Sequence, residues 1–200
     1  SMAVIRRMPR YYRYGDELYQ NGTARISSGA LAAKMGLTAS QVRQDFNCFG
    51  GFGQQGYGYN VENLRASIRE ILKLDCSHKA IIIGVGNLGR ALMTNFNFGQ
   101  SGFALAAAFD VKKELQGIQV AGVPVLSMES LQDYVEHKRP DIAILTLPRQ
   151  FASQVAADLC KWGIRGIWNF TGVDLHLDGL EVPVENVHFS ESLMTLSYRI

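Results

Sequence analysis

Residues Lys79 to Gly89 read KAIIIGVGNLG, and the fold of this 200-residue chain turns on them. Ala80 to Ile83 is a short, largely β-branched apolar run, suited to a strand buried on both faces. It stops at Gly84-Val85-Gly86-Asn87-Leu88-Gly89, and Arg90-Ala91-Leu92-Met93 then carries a helical pattern. In a strand–glycine turn–helix unit the first glycine makes the tight turn and the second lets a pyrophosphate approach the backbone. The third packs the helix onto the strand. Phosphates then meet the free N–H groups and positive dipole end of a helix. A second apolar run, Phe103 to Phe109, ends in Asp110, followed by Val111. Its position suits the acid expected about 20 residues downstream, which accepts hydrogen bonds from the adenosine ribose. Glycine turn and acid together predict a dinucleotide site; a glycine-rich connection without ligand is the plainer alternative.

Downstream, strand and helix patterns alternate. Residues Gly122 to Leu126 read as a strand, Met128 to Glu136 as a helix, Asp141 to Leu147 (DIAILTL) as a buried strand, Phe151 to Trp162 as an amphipathic helix and Gly166 to Phe170 as a further strand. Such alternation predicts an α/β fold with a Rossmann-like, doubly wound parallel sheet. Ligands of these sheets sit beyond the carboxyl ends of the strands. Thr146, Leu147 and Pro148, with Asn169, Phe170 and Thr171, are therefore expected to line the crevice that the glycine turn opens. The tail from Val187 places Phe189, Leu193 and Leu196 at helical spacing, and periodicity alone favours a helix packed on its own domain.

Upstream the chain is helical. Tyr11, Tyr12, Tyr14, Leu18 and Tyr19 recur at intervals of three and four after Pro9. Ser27 or Ser28 can cap a second helix that stops at Gly36, and Ala39 to Asn47 forms a third, carrying Gln41, Arg43, Gln44 and Phe46. Helix, short turn, helix is the arrangement in which the later member enters a DNA major groove; a small helical bundle with no DNA role is the alternative. Phe49 to Tyr59, FGGFGQQGYGY, is too rich in glycine for a helix and reads as a β-hairpin, a wing whose aromatics pin its base and whose glycines let backbone approach phosphate or minor groove. Val61 to Leu74 gives one more helix before the linker at Cys76 to His78.

The totals fit such a division. Net charge is +2, but residues 1–80 hold 11 Lys or Arg against 6 Asp or Glu, while residues 81–200 hold 9 against 12, so a polyanionic partner suits the front half. The three cysteines, Cys48, Cys76 and Cys160, form no CxxC pair, which predicts reduced thiols in a cytoplasmic protein and no metal site. Neither a signal peptide nor an apolar run near the ~18 residues of a membrane span is present, so no membrane partner is expected. No nucleophile elbow, P-loop or metal cluster stands in the chain, and no catalytic residue is assigned.

The run SQVRQDFNCFGGFGQQGYGYNV from Ser40, with IIIGVGNLGRAL, AAAFDV, AILTLP and IWNFTG after it, resembles the Rex family of redox-sensing transcriptional repressors from about Ile5 to Tyr198. The resemblance implies a winged helix-turn-helix domain over 1–77, a Rossmann NAD(H) domain over 78–185 and a helix over 186–200 exchanged within a homodimer. It implies NAD and NADH as cofactors and a palindromic double-stranded operator as partner, released when NADH binds. Carried onto this chain, it places Ser40, Gln41 and Arg43, with Gln44, on the recognition helix, and Phe52, Gln54, Gln55, Gly58 and Tyr59 on the wing. Arg10 and Arg13 fall at the basic start of the first helix, and Phe189 over the nicotinamide. Three departures stand out: the wing tip is Gln54-Gln55 where the family commonly has Lys-Arg, Asn95 stands where Tyr is frequent, and His188 where Asp is frequent. A small NAD-dependent oxidoreductase accounts only for the sheet, and a CoA-binding module is disfavoured by Asp110.

Overall fold

The computed structural model describes residues 1–54, 57–177, 179 and 181–200. Contacts divide the chain into two units, Ser1–Asp75 and Cys76–Ile200.

In the first unit, helices α1 (Met2–Ile5) and α2 (Met8–Gln20) lead to strand β1 (Arg25–Ile26), then to α3 (Ser28–Met35) and α4 (Ala39–Asn47). The local chemistry fixes the corner between the last two. Ser27 Oγ accepts from the Ala30 N–H to start α3, Gly36 ends it at φ 65°, and Thr38 Oγ1 accepts from the Gln41 N–H to start α4. Strands β2 (Gly53–Gln54) and β3 (Gly58–Asn60) form the expected hairpin, and β1 joins it to give an antiparallel sheet in the order β1-β3-β2. Asn60 Oδ1 then caps α5 (Val61–Ile71) by accepting from the Asn63 N–H. Met8, Tyr11, Leu31, Val42, Phe46, Leu64 and Ile68 fill the core from α2, α3, α4 and α5.

The second unit runs β4 (His78–Ile83), α6 (Asn87–Asn95), β5 (Phe103–Asp110), β6 (Gln119–Val120), β7 (Val123–Ser127), α7 (Leu131–Lys138), β8 (Ile142–Leu145), α8 (Arg149–Lys161), β9 (Gly166–Asn169), β10 (Val184–Asn186) and α9 (Phe189–Tyr198). The sheet order is β10-β9-β8-β4-β5-β7-β6, parallel throughout except for the β6–β7 pair. β4 lies between β5 and β8, at the point where the strand order reverses. Its side chains alternate: Ile81 and Ile83 pack with α7 and α8, while Ala80 and Ile82 pack with Met93 of α6. This is the doubly wound sheet expected. The tail differs from the expectation drawn from periodicity: no residue of α9 is buried, and Phe189, Leu193, Met194 and Leu196 are exposed by 63%, 68%, 63% and 55%. α9 follows β10, the edge strand of the sheet, and its apolar stripe remains outward.

Candidate cofactor site and nucleic-acid interface

The glycine turn after β4 is clamped from both neighbouring strands. On one side the Gly84 N–H donates to the Phe109 carbonyl at 2.8 Å, and the Val85 N–H donates to Asp110 Oδ2 at 2.7 Å. On the other, Thr146 Oγ1 donates to the Gly84 carbonyl at 2.7 Å. The three glycines then differ in what a side chain would meet. At Gly84, where φ is +100°, a Cβ would lie 2.8 Å from the Thr146 backbone; at Gly89 it would fall on the Gly84 carbonyl oxygen; at Gly86 it would meet nothing within 4 Å. Gly84 and Gly89 are therefore demanded by packing and Gly86 is not. The open space over Gly86 adjoins the N-terminus of α6, whose first turn has no side-chain cap. A pyrophosphate fits a turn with free donors and no Cβ in the way.

Asp110 is buried, and its carboxylate is less free than the sequence implied. Oδ2 holds the Val85 N–H and Oδ1 accepts from the Lys112 N–H at 2.9 Å. Each oxygen retains a second acceptor direction, so shaping the turn leaves acceptor capacity on both. Val111 beyond it is exposed. Asn87 is exposed and Leu88 half-buried at the start of α6, and Thr146, Leu147 and Pro148 follow β8 as anticipated. Asn169 is buried and fully engaged: its Nδ2 donates to the Val173 carbonyl and to Asn186 Oδ1, and its Oδ1 accepts from the Thr171 N–H and hydroxyl. It organises the loop after β9 rather than offering free polar atoms. Phe170 sits between Trp168, with ring centroids 4.6 Å apart, and Phe189, 6.1 Å away. Beside Phe189, His188 Nε2 lies 2.8 Å from Asp174 Oδ1.

In the first unit, α4 turns Val42, Asp45 and Phe46 inward and leaves Ser40, Arg43 and Gln44 exposed, with Gln41 half-buried on the flank. Arg43 donates to Ser28 Oγ at 3.1 Å. Phe46 is the peg for the wing: Tyr11, Phe52 and Tyr59 stand 4.7, 5.0 and 5.0 Å from its ring. Tyr59 is thus buried and Phe52 half-buried, so these two expected contacts hold the wing's base. Gly58 has φ +69° and a Cβ there would lie 2.6 Å from the Ile26 carbonyl oxygen. The Gln54 side chain and Gln55 lie outside the described residues. Arg10 donates to the Met35 carbonyl at 2.9 Å, helping to close α3, and exposed Arg13 stacks over Tyr14.

Sequence reasoning missed the buried ion pair of this unit. Asp45, 1% exposed, accepts from Arg7 Nε and Nη2 at 2.7 and 2.6 Å, from the Tyr11 hydroxyl at 2.9 Å and from Gln41 Nε2 at 2.8 Å. Burial acts to raise the Asp45 carboxyl, but the hydrogen bonds from Arg7, Tyr11 and Gln41 outweigh it and hold the group below its ordinary value. Burial, then the bond to Asp45, pushes the Tyr11 phenol well up. An acid in the middle of a polar helix carries no periodic signal that it points inward. Arg25 of β1 donates to the Tyr57 carbonyl at 3.2 Å, and the Tyr57 ring is exposed.

Among the described residues no group of three or more His, Cys, Asp or Glu could hold a metal ion, and no helix is long and apolar enough to cross a membrane. Residues 1–47 match the family model described as "Putative DNA-binding protein N-terminus", and residues 75–173 match the "CoA binding domain". The chain is 50% identical over 200 residues to the protein named redox-sensing transcriptional repressor Rex of Thermoanaerobacter sp. (strain X514), covering 100% of this chain and 89% of that one. It is 48% identical over 198 residues to the one of Clostridium perfringens (strain 13 / Type A), covering 99% and 93%. Among solved structures it resembles a repressor called RSP in complex with beta-NAD+ and operator DNA, at TM-score 0.92 and 50% identity over 100% of this chain and 91% of that one. RSP with beta-NADH matches at TM-score 0.91 and 47% identity, over 100% and 93%.

Proposed function

The chain belongs to the Rex family of redox-sensing transcriptional repressors, and we infer from that premise that it binds operator DNA through residues 1–75 and is governed by the NADH/NAD balance through residues 76–200. The observation that carries the reading is the whole-chain match to the repressor bound to both beta-NAD+ and operator DNA.

Gly86 and the first turn of α6, from Asn87 through Leu88 to Gly89, take the pyrophosphate. Asp110 accepts from the adenosine ribose, with Val111 beside it, and its charge favours free hydroxyls over a phosphorylated ribose, hence NAD(H) over NADP(H) or CoA. Bound there, the cofactor supplies a nicotinamide ring that is cationic when oxidised and neutral when reduced. Thr146, Leu147 and Pro148 on one side and Asn169, Phe170 and Thr171 on the other form the crevice that receives this ring. The apolar surfaces of Pro148, Phe170 and Phe189 accept it without penalty only when it carries no charge. On DNA, Ser40, Gln41, Arg43 and Gln44 of α4 face the major groove, the wing with Gln54, Gln55 and Gly58 approaches the backbone, and Arg10 and Arg13 meet phosphates. The protein acts as a homodimer on a palindrome, with α9 exchanged between subunits. It resides in the cytoplasm, binds operator when NADH is low, and switches without catalysing a reaction.

Fluorescence anisotropy on a promoter palindrome, with NAD+ and NADH titrated separately, tests this. Release by NADH at concentrations where NAD+ leaves the complex intact is expected. Equal release by both, or equal affinity for a random duplex, would overturn it.

A further inference from the structure

Gln41 lies in the first turn of α4, the part of a recognition helix that meets base edges. One turn later stands Asp45, at i+4 and therefore on the same side of the helix. Asp45 is held from behind by the two guanidinium nitrogens of Arg7 and by the Tyr11 hydroxyl, so it is an ionised, immobile acceptor. A side-chain amide facing such a group has only one workable orientation. Its NH2 must point at the carboxylate, as Gln41 Nε2 does at 2.8 Å from Asp45 Oδ1, because the flipped amide would set oxygen against oxygen. Among the described residues Oε1 of Gln41 accepts no hydrogen bond, and no buried side-chain oxygen lacks a partner, so Oε1 is open to solvent.

We propose that Gln41 is a base-reading residue whose acceptor face is set by Asp45, so that it selects a base with an exocyclic amino group, adenine or cytosine, at one position of each half-site. A glutamine free to flip can set either its oxygen or its NH2 at a given place and discriminates poorly; a clamped one fixes Oε1 as the acceptor there, with its second N–H beside it and able to add the adenine N7 contact. Adenine N6 and cytosine N4 are the amino groups displayed in the major groove, whereas guanine and thymine display carbonyl oxygens there. The inference rests on the DNA-binding reading above, and Arg7, Tyr11 and Asp45 act as positioning residues behind Gln41.

The test is selection from a pool of random duplexes by the full-length protein, followed by anisotropy on the selected palindrome with each half-site base pair exchanged symmetrically. Wild type is expected to favour the amino-bearing base at one position by roughly five- to tenfold, and Gln41→Ala to flatten that position alone. In Asp45→Asn the amide at position 45 can turn either face to Gln41, because Arg7 donates to both carboxylate oxygens, so the clamp is released and the preference at that position falls. A Gln41→Ala profile equal to wild type, or an unchanged preference in folded Asp45→Asn, would overturn the proposal. Should Asp45→Asn fail to fold, Gln41→Ala decides. A wild-type protein that selects no sequence at all defeats the repressor reading instead, before Gln41 enters.

Discussion

Gly86 and Gly89 stand three residues apart in one turn and answer to different constraints. A methyl group at Gly89 collides with the Gly84 carbonyl, whereas one at Gly86 enters open space. Gly89→Ala should therefore destabilise the fold by about 1–3 kcal/mol, the usual cost of overpacking, and lose NADH with it. Gly86→Ala should melt with wild type and still bind NADH at least tenfold more weakly, because the methyl occupies the pyrophosphate's approach. Calorimetry beside thermal melting separates the two; parallel losses of stability in both variants would refute this division. Asp45 carries a pH signature. Its folded pKa is depressed, so its stabilisation is complete above the unfolded carboxylate value near ~4 and is lost as pH falls from there through the folded value. Asp45→Asn should flatten that stretch of the stability–pH curve, read by denaturant titration at stepped pH, and an unaltered acid limb would show that other carboxylates dominate.

At the scale of elements, α4 and the start of α2 should divide sequence reading from attraction to backbone. Arg43→Ala is expected to cost ~1–3 kcal/mol on operator and to relax one position. Arg10→Ala should weaken every duplex alike and lower the salt slope by about one. Anisotropy over a salt series, on operator and random DNA, distinguishes them; identical losses for Arg43→Ala on both duplexes would make it a backbone contact. The elements themselves were unevenly legible. β4 and its turn could be read because a buried parallel strand is a continuous apolar run, and Gly84 and Gly89 stand where conformation and packing leave no room for a side chain. Strands β1, β6 and β10 are two or three residues long and exist through pairing with β3, β7 and β9, a non-local cause that no short stretch announces. In the same way Gly84, Asp110 and Thr146 could be placed at strand ends, but not the clamp they form, which depends on three strands lying side by side. The wing was legible as a hairpin, yet its aromatics divide between base and tip only once Phe46 is seen to receive Phe52 and Tyr59.

At the scale of the whole molecule, the open question is what covers α9. An exposed stripe of Phe189, Leu193, Met194 and Leu196 is an interaction surface by its chemistry, and family membership points to a second subunit. Leu193→Asp with Leu196→Asp should then shift the protein toward monomer in sedimentation and weaken palindrome binding, since two half-sites need two recognition helices at a fixed spacing. The switch must lie at the same place. NADH and NAD+ share their pyrophosphate and both riboses, so in the proposed site the contacts of Gly86 and Asp110 would be alike for both and could not shift any balance between dimer shapes; only a difference in affinity between states can. In the switch proposed above the ring's charge is that difference, and Phe170 with Phe189 is the apolar surface assigned to register it. His188 Nε2 lies 2.8 Å from Asp174 Oδ1 where α9 begins, and with Asn95 and His188 in place of the family's frequent Tyr and Asp, the switch proposed above assigns the coupling to Phe189 more than to those two side chains. Phe189→Ala should accordingly bind NADH within a fewfold of wild type yet hold operator at NADH concentrations that release the wild-type protein. Unchanged release in that variant, with normal NADH binding by calorimetry, would show that the tail does not carry the signal.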